Sequence, residues 1–166
     1  MTPPRSADPE IRFSVDVTDV VESLKNSGFA STNADVTLIG ASIGYKYGYL
    51  PYNSTTHTYV RLGVLARQTN FETYAVGLVL ANKIKNGEAL TRESVGLESN
   101  INYLSNLANS GLMHLKSRMK TFGREVSEIL PEMIHEALGI SKNGIENTEL
   151  ASIGEDIQFN TNNEGQ

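Results

Sequence analysis

The sequence has no cysteine among its 166 residues. That excludes a disulfide framework, a cysteine-ligated zinc or iron–sulfur centre and a thiol nucleophile. No apolar run approaches the roughly 18 residues that a membrane-spanning helix needs, so no membrane partner is expected. The opening MTPPRSADPE carries no apolar leader segment. No secretory signal is therefore expected, the sequon Asn53-Ser54-Thr55 is uninformative, and the cytoplasm is the expected compartment. His57, His114 and His135 stand far apart, with no His-x-x-x-His pair and no carboxylate cluster beside them, so no metal site is expected. Neither a Gly-Lys-Ser/Thr phosphate loop nor a G-x-G-x-x-G turn occurs, and no G-x-S-x-G elbow supports a hydrolase. No catalytic residue and no cofactor is expected, and the chain reads as a non-enzyme.

Acids are also missing from two long tracts. Val36 to Phe71 contains no Asp or Glu but holds Lys46, His57, Arg61 and Arg67; Ser99 to Arg124 again has none and holds His114, Lys116, Arg118, Lys120 and Arg124. The formal net charge is −5, and most of it lies in residues 139–166, where Lys142 faces Glu146, Glu149, Glu155, Asp156 and Glu164. Such segregation permits a basic face on an acidic protein.

With 39% hydrophobic and 20% charged residues, the composition suits one globular domain. Residues 1–10 read as a loose, proline-rich lead-in, 11–138 as a single helical domain, and 139–166 as an acidic, polar, disordered tail. Ile11, Phe13 and Val15 alternate with Arg12 and Ser14, the period of a short half-buried strand that needs a partner in this chain or in another subunit. Asp16 or Thr18 then caps a short helix ending at Asn26-Ser27-Gly28. Thr32 and Asp35 form an acidic capping box for a second helix, in which Gly40, Gly44 and Gly48 share one face suited to close packing. That helix exits through Tyr45, Lys46, Tyr47, Tyr49 and Tyr52, and residues 53–60 read as a polar loop or ragged edge. Thr69 and Glu72 predict a second capping box, for a helix stopping at Asn86-Gly87. Leu97, Ile101, Leu104, Leu107, Leu112, Leu115 and Met119 predict a long amphipathic helix. The period continues through Val126 and Ile129, with a break or kink at Pro131.

The expected fold class is thus mainly α: a short N-terminal strand followed by a compact helical bundle. Strand, helix, turn, helix is also the order of a ribbon-helix-helix element, in which Arg12 and Ser14 would face DNA bases. On a helix, Lys116, Lys120 and Arg124 form one stripe with Arg118 on the other flank. Together with Lys46 and Arg61 they form the candidate nucleic-acid contact, which grips phosphates while tyrosines stack bases.

Three blocks resemble the small proteins of DNA phosphorothioation (Dnd) systems, specifically the Dnd system-associated protein 4 family and, more distantly, DndE. They are IRFSVDVTDVVESLKNSGF, ADVTLIGASIGYKYGYLP with its Ile43-Gly44-Tyr45-Lys46-Tyr47-Gly48 exit, and LSNLANSGLMHLKSRMK with Leu107-Ala108-Asn109-Ser110-Gly111-Leu112. Leu107 stands where the family pattern has an aromatic, and Ser110 where it has a glycine. The resemblance implies a non-enzymatic accessory subunit of a sulfur-modification and phage-defence system, binding DNA as an oligomer or within a complex, with Lys46 and Lys116 at matched positions. Two other readings remain open. One is a protein–protein adaptor that docks through the glycine face and Tyr45, Tyr47, Tyr49 and Tyr52; the other is a stand-alone ribbon-helix-helix regulator.

Overall fold

The longest periodic run of the sequence forms the longest helix, Leu97–Phe122, and several of the other elements pack against it. The computed structural model describes residues 9–139, apart from Ala66 and Thr69. In order these are β1 (Glu10–Ser14), a 3-10 turn (Val15–Val17), α1 (Thr18–Asn26), α2 (Asn33–Tyr47), β2 (Thr56–Arg61), α3 (Leu62–Leu65), α4 (Phe71–Lys85), a second 3-10 turn (Arg92–Val95), α5 (Leu97–Phe122) and α6 (Val126–Leu138). The fold is mainly α with a short N-terminal strand. Contacts divide the chain into two units, Met1–Glu132 and Met133–Gln166; in the second, the described residues are the end of α6 and Gly139. The expected lead-in and acidic tail fall outside the described residues, apart from Pro9, Glu10 and Gly139. Glu10 already belongs to β1.

The core of the first unit is the crossing of α2 and α5. Side chains on α5 at helical spacing, Leu97, Ile101, Leu104, Ala108, Leu112 and Leu115, are buried, as are Val36, Ala41 and Ile43 of α2, and the two helices pack against each other. Gly40 and Gly44 present bare backbone to α5: a Cβ on Gly40 would lie 2.6 Å from the Ala108 carbonyl, and one on Gly44 2.2 Å from that of Leu107. The expected packing face is there, but Gly48 is not part of it. It is the C-cap of α2, at φ 89°, where a side chain would be strained. Because α5 covers this face, it is not available as a docking surface for an adaptor.

The local signals of α2 are also realised. Asp35 N–H donates to Thr32 Oγ1 (3.2 Å), and Thr32 N–H donates to the Asp35 carboxylate (2.8 Å), closing the capping box. Thr32→Ala should lower stability by about 1 kcal/mol, read as a shift in the denaturant midpoint without a change in slope. At α1 neither expected cap operates: Val17 occupies the cap position without a side-chain bond, while Asp19 accepts from Val20 N–H (3.0 Å). At α4 the cap position is Asn70, in left-handed conformation at φ 65° and with no capping side-chain bond. Thr69, the expected cap, lies outside the described residues.

β1 pairs antiparallel with β2, with Ile11 opposite Val60 and Phe13 opposite Thr58. The segment expected to be a polar loop is therefore largely a strand, since threonine and tyrosine suit a pleated surface once a partner is supplied. The partner sits nearly fifty residues away, beyond any local pattern. On its other edge, β1 meets side chains of α5. Ser14 N–H donates to Asn109 Oδ1 (2.8 Å) and Asn109 Nδ2 donates to the Arg12 carbonyl (2.8 Å), so one carboxamide acts as a neighbouring strand's peptide group. Ser105 Oγ accepts from Arg12 N–H (3.1 Å) and also donates to the Arg12 carbonyl (3.1 Å). Ser14 itself is completely buried. This corrects the ribbon reading: both edges of β1 are engaged within the chain, and Ser14 cannot face bases.

The long helix ends at Gly123, in left-handed conformation at φ 62°, and α6 then runs through Pro131. The break expected at Pro131 thus occurs earlier. A glycine that adopts positive φ without a Cβ clash ends the helix, and Pro131 falls inside the next one, where it removes a single backbone bond.

Candidate nucleic-acid interface

The six cations expected to form one basic surface are distributed by the fold over three places. Arg61 lies at the end of β2, 3.8 Å from Glu10, which also pairs with Arg12 at 3.2 Å. Lys116 reaches back to α1, where it bonds the Asp16 carbonyl and pairs with Asp19 at 3.0 Å. Arg124 lies just past the end of α5, off the expected helical stripe. It pairs with Glu132 (2.8 Å) and Glu128 (3.7 Å). The hydrogen bond to Glu132, and then the nearby carboxylate charges, hold its guanidinium above its ordinary range. Lys120 is exposed and, among the described residues, makes no hydrogen bond or ion pair. Three of the six are thus already matched by acids, Arg61 and Lys116 by acids from distant parts of the sequence and Arg124 by acids a few residues further on. Exposed pairs of this kind contribute little to stability, but they reduce the positive potential a polyanion would meet.

The third place is the exit of α2. Lys46 is exposed in its last turn. The Arg118 guanidinium stacks over the Tyr47 ring at 5.0 Å, and His114 lies 5.7 Å from the same ring. His114 Nε2 donates to the Gly48 carbonyl (3.1 Å), tying the exit to α5. Successive helical positions two apart point in opposite directions. Tyr45 accordingly faces α4, where Lys85 sits 5.1 Å over its ring and donates to its carbonyl (2.7 Å). Lys83 covers Tyr103 at 5.1 Å and donates to Asn100 (2.8 Å). Glu88 also enters this neighbourhood, where it accepts from the Tyr103 hydroxyl (3.1 Å).

Lys83 and Lys85 were not legible as candidates in the sequence. They lie between Glu72 and Glu88, outside both acid-free tracts; the signal was two lysines closing an apolar helix beside a tyrosine-rich exit. Each ring–cation contact orders a long side chain over an aromatic face.

The four candidate tyrosines also divide. Tyr45 and Tyr47 are half-buried under cations, whereas Tyr49 is 72% exposed. Tyr52 is half-buried and bonds Asn106 through its hydroxyl. Burial, with Tyr49 nearby, pushes the Tyr52 phenol above its ordinary range.

Among the described residues no three His, Asp or Glu side chains come together as a metal site, and no helix is long and apolar enough to cross a membrane. No family model matches the chain, and neither the curated proteins nor the solved structures yield a match.

Proposed function

We propose that the protein is a non-enzymatic accessory subunit of a DNA phosphorothioation-linked modification and restriction system, where it contacts the DNA backbone as an oligomer or within a complex. The observation that carries this reading is the concentration of Lys46, Lys83, Lys85, Arg118 and His114 around the tyrosines at the exit of α2. Cations held on aromatic faces suit phosphates along a duplex. The same exit contains Gly44-Tyr45-Lys46, the part of the chain on which the family resemblance is most distinctive.

The double variant Lys46→Glu with Arg118→Glu should weaken duplex binding at least about tenfold, irrespective of sequence. Its dependence of log affinity on log salt should be shallower by about two contacts. Lys120→Glu, remote from the exit, should have a smaller effect. Fluorescence anisotropy across a salt series measures all three. Absence of salt-sensitive binding by the wild-type protein, alone or with its complex, would rule the reading out.

A further inference from the structure

The exit of α2, together with α4 and α5, surrounds a cavity of about 410 Å³. Tyr49, Asn82, Lys85, Asn86, Tyr103 and Asn106 line it, and Gly44 and Gly48 leave part of its wall as bare backbone. This size lies within the range of small-ligand sites. Its lining is unusual for a gap between helices because three carboxamides converge on it.

Their hydrogen-bonding capacity is only partly used. Asn82 occupies a position on α4 where the helical period calls for an apolar residue, and it is 8% exposed. Its Nδ2 donates to the Tyr103 hydroxyl (2.9 Å), which leaves Oδ1 without a protein partner. No buried side-chain atom among the described residues lacks a partner, so this oxygen opens to the cavity. Asn106 accepts from Tyr52 through Oδ1, leaving its NH₂ group available. The Asn86 carboxamide and the Tyr49 hydroxyl make no hydrogen bond among the described residues. Lys85 spends one of its three donors on the Tyr45 carbonyl.

Adjacent donors and acceptors on carboxamides match the edges of a nucleobase, phenol rings match its faces, and an ammonium matches a phosphate. We propose that this cavity takes a single unstacked nucleotide. Its base lies against Tyr49 and Tyr103, its edge is read by Asn82, Asn86 and Asn106, and its phosphate is held by Lys85. Such a nucleotide has two sources, a base displaced from DNA or a free mononucleotide. The first source rests on the backbone-binding reading above; the cavity itself does not.

The experiment uses the full-length protein and three probes: a duplex carrying a fluorescent adenine analogue opposite an abasic site, the same duplex with the analogue paired, and free dAMP. A saturable fluorescence change with the unpaired analogue, absent with the paired one, supports the cavity and assigns it a base from DNA. Binding of dAMP alone, by calorimetry, supports the cavity and assigns it a free nucleotide. In either case Tyr49→Ala and Asn86→Ala should each weaken nucleotide binding about tenfold. Thermal melts confirm that both variants fold. If the paired duplex binds with salt sensitivity while neither nucleotide probe responds, the cavity proposal is overturned and the backbone reading stands. Nucleotide binding unaffected by both substitutions also overturns it, by placing the ligand elsewhere. If dAMP binds through the cavity and no duplex binds, the cavity stands and the backbone reading falls.

Discussion

Gly111→Ala should be severely destabilising, by about 4 kcal/mol or more. A Cβ added at Gly111 would lie 1.7 Å from the Gly40 carbonyl oxygen and 2.6 Å from the Gly44 nitrogen. Both obstructions are backbone, so no rotamer change relieves them; the two helices would have to separate along their whole contact. Alanine is the better helix former by about 1 kcal/mol, which on an isolated helix would favour the variant. Ordinary overpacking already costs about 1–3 kcal/mol, and a backbone collision at the centre of the core belongs beyond that range, at about 4 kcal/mol or more. A domain of this size has about 5–15 kcal/mol in total. Gly77→Ala is the matched control: nothing lies within 4 Å of a Cβ there, and the change should stabilise by about 0.5–1 kcal/mol. Chemical denaturation of both variants, followed by circular dichroism, tests the pair. A Gly111→Ala protein with the wild-type midpoint would show that α2 and α5 do not cross as described.

Asn109→Leu should be the next most damaging substitution, at about 2–4 kcal/mol. Leucine has the same branched shape with somewhat bulkier ends and would fill the space, so loss of packing is a minor part of the effect. What it removes is the carboxamide that serves both Ser14 N–H and the Arg12 carbonyl. Ser14 is buried, and its amide would be left without a partner; each such group costs about 1–3 kcal/mol. Ser105 would still serve Arg12, so the carbonyl is partly compensated and the Ser14 amide is the larger loss. Hydrogen exchange provides a local readout: the Ser14 amide should exchange much faster in the variant, relative to the amides of Ile11 and Phe13 that face β2. Unchanged protection at Ser14 would contradict the assignment. Asn109 and Gly111 are two residues apart on α5, yet one closes a strand edge and the other admits a helix. A single helical turn therefore organises both packing layers.

Asn109 and Gly111 both belong to the block LANSGL of α5. Their structural duties account for why such residues stand in a long amphipathic helix where leucine and alanine would otherwise serve. The exit of α2 combines structure and candidate function: Gly48 turns the chain, while Tyr45 and Tyr47 hold Lys85 and Arg118.

The expected basic stripe shows where sequence reasoning stops. Lys116, Lys120 and Arg124 share a face only if the helix continues through Arg124, and Gly123 ends it first. Whether a cation is available to a ligand also depends on which acids the fold brings to it. Asp19 reaches Lys116 from ninety-seven positions away, and Glu132 reaches Arg124 across the turn between two helices. Lys83 and Lys85 joined the candidate site by the opposite route, because their neighbours in space, Tyr103 and Tyr45, lie well outside the local window.

By itself the sequence determined whatever rests on interactions within a few residues: the amphipathic period of α5, the Thr32–Asp35 capping box, the stops at Gly28 and Gly87, and the spacing that puts Gly40 and Gly44 on one face. These follow from helix geometry and backbone stereochemistry, which any short segment carries with it. Only the tertiary structure decided that β1 pairs with β2, that Asn109 closes the remaining edge, and which cations are matched by acids. Those outcomes depend on groups far apart in the chain meeting at hydrogen-bond distance, and no local pattern encodes that.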